Sequence, residues 1–233
     1  MITLIDYGGS NLRSVQKAFE FVGAPVQVSA DAEVVCQAEK LVLPGVGAFS
    51  AGMAGLRRSG LDAAVREAAE RGVLLLGICL GMQLLFEESD EMGRHKGLGL
   101  IPGQVVRLGE ERREKREVRR EKREERKRKS DLACSSPLVP RPAILKVPHV
   151  GWNQISHDGN HVLLRGVPSD AHAYFVHSYY CQPADPENII AYTDYGRAFA
   201  SVVGRDNVYG IQFHPEKSQK VGLQILHNFA KVA

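Results

Sequence analysis

A single cysteine, Cys79, lies between two glycines in the stretch GICLG, where an apolar run changes into a helical pattern. Small residues on both sides of a nucleophile permit the strained strand-to-helix turn that exposes it at the edge of an α/β sheet. The N–H groups at the start of the following helix favour a thiolate, which is the nucleophilic form of cysteine. Taken alone, the stretch is equally compatible with a buried core cysteine.

A histidine and a glutamate, His214 and Glu216, follow an apolar stretch in the motif QFHPEKS. The apolar stretch is typical of a strand, and open α/β sheets build their sites at the carboxyl ends of strands. In a Cys-His-carboxylate set, the imidazole removes the thiol proton and later protonates the leaving amine, while the carboxylate orients the imidazole. We therefore expect Cys79, His214 and Glu216 to act together as a catalytic triad.

A glycine-rich turn follows a third apolar stretch in LVLPGVGAF. Gly45, Val46 and Gly47 can direct backbone N–H groups towards a developing oxyanion, together with the N–H of Leu80. The spacing and the Lys-Ser/Thr ending of a phosphate-binding loop are absent from this stretch. A plain turn is the alternative interpretation.

Strands and helices alternate in the sequence that surrounds these motifs. The pattern predicts an α/β fold, a three-layer sandwich around a mostly parallel sheet. Its predicted elements are a strand at residues 2–5, a helix over 11–23, the strands PVQVSA and KLVLPG, a helix over 31–38, the helix LDAAVREAAERG, the strand VLLLGI and the helix LGMQLLFEES.

After Ile101 the sequence changes to short extended pieces separated by Gly, Pro, Asn and Asp. We expect these pieces to form antiparallel hairpins added to the sheet, and an amphipathic helix from Val221 to Phe229 to end the pattern. The pieces are QVVRL, GWNQI, HVLLR, AYFVHSYY, IIAYTDY, FASVVGR and VYGIQFHP.

Composition indicates one globular domain over residues 1–233, with 44% hydrophobic and 24% charged residues. The longest apolar run is well short of the ~20 residues that span a bilayer, and the N-terminus does not resemble a secretory leader. We therefore expect a cytoplasmic protein with no membrane partner. Cys36, Cys134 and Cys181 show no paired spacing, so neither a disulfide framework nor a metal site is predicted.

A charged run occupies residues 110–129, with 12 Lys and Arg against 7 Glu, while the rest of the chain has a net charge of −2. Its near-repeat, REKREVR then REKREER, is of low complexity. We interpret residues 109–142 as a surface insertion in the single domain. The interleaved glutamates and the absence of aromatic residues argue against a nucleic-acid partner.

The motifs GICLGMQ, QFHPEKS and LPGVG together resemble those of the class I glutamine amidotransferases. More narrowly, IDYGGSNLRSV, GLGLIPGQV, VPHVGWNQI and YFVHSYY are similar to the family of glutaminase subunits of imidazole glycerol phosphate synthases, over nearly all the chain except residues 109–142. The resemblance implies hydrolysis of L-glutamine through a glutamyl thioester on Cys79, without a cofactor. It also implies transfer of the ammonia to a cyclase subunit of (β/α)8-barrel fold, which makes imidazole glycerol phosphate and aminoimidazole carboxamide ribotide in histidine biosynthesis.

The resemblance further implies roles for residues outside the triad. Glutamine would be held near Gly47, Gln83, His177, Ser178 and Tyr179, with Leu80 and the 45–47 turn serving the oxyanion. The positions near the partner would be Asn11, Trp152, Asn153, Tyr174 and Lys217. Alternatives for two of these residues are a core role for Trp152 and cross-strand packing for Tyr174. Alternatives for the function are an amidotransferase that serves another acceptor, a cysteine hydrolase on the same fold, and a non-catalytic module that its charged segment tethers to RNA or a ribosome.

Overall fold

Strands and helices alternate through the first part of the fold. The computed structural model describes residues 1–109 and 145–232. Its elements up to the nucleophile turn are β1 (Ile2–Ile5), α1 (Leu12–Phe21), β2 (Val26–Ser29), α2 (Ala32–Cys36), β3 (Lys40–Gly45), α3 (Phe49–Arg58), α4 (Leu61–Glu70), β4 (Leu74–Cys79) and α5 (Leu80–Leu84).

Extended structure dominates the rest of the described chain. The strands are β5 (Phe86–Ser89), β6 (His95–Lys96), β7 (Ile101–Arg107), β8 (His149–Ile155), β9 (Ala171–His177), β10 (Tyr179–Pro183), β11 (Ile189–Asp194), β12 (Ala198–Arg205) and β13 (Val208–Ile211). Short 3-10 turns occur at Val162–Leu164, Pro186–Asn188 and Pro215–Lys217, and α6 (Gln219–Lys231) follows the last of them.

A seven-stranded sheet in the order β11-β12-β13-β4-β3-β1-β2 forms the middle layer. The five strands from β13 to β2 are parallel to one another, and β11 and β12 add antiparallel neighbours at one edge. Helices α1 and α6 pack on one face, where the ring centroids of Phe19 and Phe229 are 6.3 Å apart. Helices α2, α3 and α4 pack on the other face. The predicted three-layer α/β fold is confirmed.

Two smaller sheets flank this core. Strands β10, β7, β5 and β6 form one of them, and β8 and β9 form a two-stranded antiparallel ribbon, here called the β8–β9 ribbon. The expectation that all the late pieces would extend the main sheet is therefore wrong in part, because only β11, β12 and β13 do so. The stretch HVLLR was expected to be extended but contains the 3-10 turn Val162–Leu164.

One predicted helix is half as long as expected, and one observed helix was not predicted. The helix expected over LGMQLLFEES ends at Leu84, since residues 86–89 instead form β5, in which Phe86 pairs with Ile101 of β7. Helix α3 contains Gly52 and Gly55, which weaken its helical pattern, but Gly55 is needed for close packing. A methyl group on Gly55 would lie 2.6 Å from the backbone oxygen of Tyr7.

The predicted insertion at 109–142 and Cys134 fall almost entirely outside the described residues, so those predictions are untested. Among the helices of the described ranges, none is long and apolar enough to cross a membrane.

Candidate active site

Cys79 occupies a strained turn between β4 and α5. Its φ of 54° and ψ of −110° are unusual for a residue with a side chain, and strain of this kind concentrates at functional sites. The two flanking glycines have steric reasons to be glycine. A methyl group on Gly81 would lie 1.7 Å from the carbonyl oxygen of Leu43, and one on Gly77 would lie 2.7 Å from the Gly81 backbone.

His214 and Glu216 lie at the 3-10 turn that follows β13. The imidazole Nδ1–H of His214 donates to Oε1 of Glu216 over 2.8 Å, and both side chains are almost fully buried. The turn is held by further hydrogen bonds, in which the His214 N–H donates to the Tyr174 carbonyl over 2.9 Å and the Ser218 hydroxyl donates to the His214 carbonyl over 2.6 Å. The imidazole is therefore fixed in one orientation.

Cys79 and His214 are electrostatically coupled. Burial disfavours the charged imidazole, but hydrogen bonds with Cys79 and Glu216 outweigh it and raise the pKa of His214 to about 10. An imidazolium at neutral pH is the natural partner of a thiolate. The arrangement therefore suits a histidine that serves as the acid–base partner of a cysteine nucleophile.

A cavity of about 370 Å³ opens onto Cys79 and His214. All the predicted substrate-binding and oxyanion residues except Gly45 line this cavity. Glu216 does not line it, because its carboxylate lies behind the His214 imidazole. The predicted residues in the lining are Val46, Gly47, Leu80, Gln83, His177, Ser178 and Tyr179, together with Lys217 from the predicted partner set. Three further lining residues were not predicted from the sequence: Glu91, Pro148 and Val176.

Glu91 supplies an acidic group to this cavity. One carboxylate oxygen, Oε2, accepts from the backbone N–H of Phe49 over 2.6 Å, at the first residue of α3. A carboxylate at a helix N-terminus is favoured by the helix dipole. In the sequence, the run EESDE that contains Glu91 looks like a solvated acidic surface, so nothing there distinguishes this residue.

The predicted oxyanion turn has a specific geometry. The N–H of Val46 donates to the carbonyl of Gly9 over 3.0 Å, and Gly47 has a φ of +99°, which favours glycine. The Val46 N–H therefore already has an acceptor. An oxyanion role for that N–H requires this hydrogen bond to break.

A chain of hydrogen bonds connects β8 with the cavity. Nδ1 of His177 lies 2.8 Å from the Tyr179 carbonyl, which requires that nitrogen to donate, so Nε2 of His177 accepts from Nδ1–H of His149 over 3.0 Å. The amide Nδ2 of Asn153 then donates to Nε2 of His149 over 3.3 Å. Burial lowers the pKa of His149 to about 4 and that of His177 to about 3, so both imidazoles are neutral at neutral pH.

Four side chains share the outer face of the β8–β9 ribbon, here called the ribbon face: Val150, Trp152, Tyr174 and Val176. Cross-strand register pairs Trp152 with Tyr174, and their rings meet edge to face with centroids 5.9 Å apart. The Nζ of Lys217 lies 5.8 Å from the centre of the Tyr174 ring. Trp152 is 47% exposed, so the alternative of a core tryptophan is wrong, whereas cross-strand packing of Tyr174 is observed.

Asn153 and Asn11 lie outside the ribbon face. Successive side chains of a strand alternate between faces, so Asn153 shares the inner side with His149 and also donates to the Asp194 carbonyl over 2.9 Å. Asn11 is exposed immediately before α1, which packs on the 215–217 turn. The sequence did not reveal this inward anchoring of Asn153, because the motif VPHVGWN does not show which residues face the core.

Within residues 1–109 and 145–232, no group of three or more His, Cys, Asp or Glu side chains is placed to hold a metal ion. The described groups at this cavity are the Cys79 thiol and the buried His214 imidazole with its orienting Glu216 carboxylate.

Fold and site together define a class I glutamine amidotransferase, and the family model "Glutamine amidotransferase class-I" matches residues 3–233. The chain is 48% identical to the imidazole glycerol phosphate synthase subunit HisH of Syntrophotalea carbinolica, over 98% of each chain. It is 45% identical to the HisH subunit of Moorella thermoacetica, over 99% of this chain and 94% of the relative. Within the class, the chain thus belongs to the HisH family of synthase subunits.

A solved structure described as a glutamine amidotransferase has the same fold, with a TM-score of 0.67, 17% identity and 99% of each chain covered. The earlier inferences of an amidotransferase and of a subunit of a heteromeric synthase are confirmed, and the non-catalytic module is excluded.

Proposed function

We propose that this chain hydrolyses L-glutamine to glutamate and ammonia, with Cys79 as the nucleophile. The observation that supports this proposal is the buried His214–Glu216 pair beside the strained Cys79, at the mouth of one cavity. A thiolate, an imidazolium and an orienting carboxylate are the groups that acyl transfer from an amide requires.

In the proposed mechanism, the Cys79 thiolate attacks the carboxamide carbon of glutamine, and the carbonyl oxygen becomes an oxyanion. His214, as the imidazolium, protonates the amide nitrogen; the C–N bond then breaks and ammonia leaves, with a glutamyl thioester on Cys79. The neutral His214 next removes a proton from water, which attacks the thioester and releases glutamate. Glu216 holds the imidazole and stabilises its charge at each protonated stage.

We assign two backbone donors to the oxyanion. One is the N–H of Leu80, which begins α5 directly after the nucleophile, and the other is the N–H of Val46 once it leaves the Gly9 carbonyl. Glu91 is the acidic residue among the described side chains that line the cavity, so we assign it to the substrate ammonium. Gln83, His177, Ser178 and Tyr179 complete the glutamine site.

We also propose that a cyclase subunit of (β/α)8-barrel fold docks on the ribbon face and covers the cavity. Val150, Trp152 and Val176 are exposed there, and Val176 also lines the cavity, so the apolar surface adjoins the site. Ammonia delivered to a second active site must be kept from water, which requires a packed partner at the mouth. The products would be imidazole glycerol phosphate and aminoimidazole carboxamide ribotide, made in the cytoplasm.

The test is glutamine hydrolysis by the purified chain alone, with the cyclase, and with the cyclase plus its ribonucleotide substrate. We expect little hydrolysis by the chain alone, because the Val46 N–H is bound to Gly9, and a large increase when cyclase and ligand are both present. A rate that neither addition changes would contradict the proposed partnership. A rate of zero in all three mixtures would contradict the proposed chemistry.

A further inference from the structure

Tyr7 carries a buried hydroxyl that the proposed mechanism does not use. The residue follows β1, is only 4% exposed, and its Oη has no hydrogen-bond partner within residues 1–109 and 145–232. A buried hydroxyl without a partner is unfavourable, and such groups call for a specific explanation. The direction in which this hydroxyl points supplies one.

Glycines clear the space around the Tyr7 side chain. A methyl group on Gly45 would lie 2.3 Å from Oη, and one on Gly9 would lie 3.0 Å from Cε2 of the same ring. The hydroxyl therefore abuts the first residue of the oxyanion turn, while the ring edge packs on the residue whose carbonyl holds the Val46 N–H. Burial and the nearby Cys79 raise the pKa of Tyr7, so the phenol stays protonated and able to donate.

The Gly45–Val46 peptide links these contacts. Its N–H now bonds to Gly9, and a trans peptide is a rigid plane with its N–H and C=O pointing in opposite directions. Rotating the plane to turn the Val46 N–H towards the substrate must carry the Gly45 carbonyl to the opposite side. The Gly9 carbonyl lies on the side that the N–H leaves, and the Tyr7 ring edge packs on Gly9.

We propose that the Tyr7 hydroxyl donates to the Gly45 carbonyl once this peptide has rotated, and so holds the Val46 N–H in its oxyanion-binding orientation. Tyr7 is then a positioning residue, which acts through the peptide and does not touch glutamine. This inference rests on the proposed glutaminase function, in which the Val46 N–H serves the oxyanion. The hydroxyl that has no partner in the resting arrangement gains one in the catalytic arrangement.

The first test compares Tyr7→Phe with the wild-type chain in the complex with the cyclase and its ribonucleotide. We expect kcat for glutamine hydrolysis to fall about 10-fold or more, because one contact that supports the oxyanion site is lost, while KM for glutamine is unchanged. The matched control is Tyr209→Phe, which removes the hydroxyl of another buried tyrosine, packed on His161. Equal kcat values for Tyr7→Phe and the wild type would overturn the inference.

A second measurement decides the matter if Tyr7→Phe fails to fold. In a crystal structure of the wild-type complex with Cys79 alkylated by 6-diazo-5-oxo-L-norleucine, we expect Tyr7 Oη within hydrogen-bond distance of the Gly45 carbonyl. A Val46 N–H still bonded to Gly9 in that structure would overturn the inference. The proposed function is tested separately, since a Cys79→Ala complex that still used glutamine would contradict the chemistry whatever Tyr7 does.

Discussion

His214 and Glu216 are two residues apart, and the turn that begins at Pro215 folds the carboxylate back onto the imidazole, with Nδ1 and Oε1 2.8 Å apart. The side chains are 7% and 2% exposed, respectively. Because the carboxylate is shielded from water, its charge acts on the imidazole with little screening. This short-range pair gives the end of β13 the oriented imidazole that a cysteine nucleophile needs.

Replacing Glu216 with Gln keeps the size of the side chain but removes its charge. We expect the pKa of His214 to fall, since the carboxylate is one of the groups that raise it, and kcat for glutamine hydrolysis to fall by up to about 10⁴-fold. The pKa is measured by NMR titration of the His214 ring. The matched control is Glu187→Gln, in the exposed 3-10 turn Pro186–Asn188. An unchanged His214 titration in Glu216→Gln would contradict the role of the pair.

Replacing Glu91 with Gln tests the assignment of the substrate ammonium. We expect KM for glutamine to rise about 10-fold or more with little change in kcat, because a charge-assisted contact made equally in the ground and transition states is lost. Steady-state kinetics of the complex provide the measurement. The matched control is Glu88→Gln, whose carboxylate pairs with Arg94 over 2.7 Å and does not line the cavity. If Glu91→Gln binds glutamine as tightly as the wild type, the ammonium must be bound elsewhere.

The neutral imidazoles of His149 and His177 make stability depend on pH. Their pKa values are about 4 and about 3 in the folded chain, against about 6.5 when unfolded. The unfolded state therefore binds more protons between these values, so the free energy of unfolding falls as the pH drops through about 6.5 towards about 4. Urea unfolding of the wild type and of His149→Gln over this range provides the measurement.

The His149→Gln variant should show a shallower pH dependence of the free energy of unfolding than the wild type. A control variant, His227→Gln on α6, replaces a histidine that is only partly buried and lies outside the hydrogen-bond chain. Equal pH dependence for His149→Gln and the wild type would show that His149 is not held neutral by the fold.

Local sequence patterns predicted the layers of the fold, because hydrophobic periodicity and turn glycines depend on residues that are neighbours in the sequence. They failed where long-range pairing decided the outcome. Residues 86–89 have a helical pattern but form β5, since Phe86 pairs with Ile101 across a parallel register. Helix and strand propensities predict secondary structure poorly wherever tertiary contacts of this kind can form.

The motif residues of the site could be predicted because a nucleophile turn and a strand-end histidine have recognisable chemistry. Tyr7, Glu91 and His149 could not, since their significance depends on what the fold brings against them. Tyr7 follows an ordinary strand, Glu91 lies in an acidic run, and His149 acquires its neutral state from burial. Asn153 was expected near the partner, and the sequence did not show that the alternation of β8 turns its side chain inwards to His149 and the Asp194 carbonyl.

The most direct test of the central claim is Cys79→Ala in the complex with the cyclase, assayed for synthesis from glutamine and, separately, from ammonia. We expect glutamine-dependent synthesis to fall by at least about 10³-fold, while ammonia-dependent synthesis by the partner continues at the wild-type rate. Cys36→Ala, which replaces another free thiol, should leave both rates unchanged. Retention of glutamine-dependent synthesis by Cys79→Ala would contradict the account.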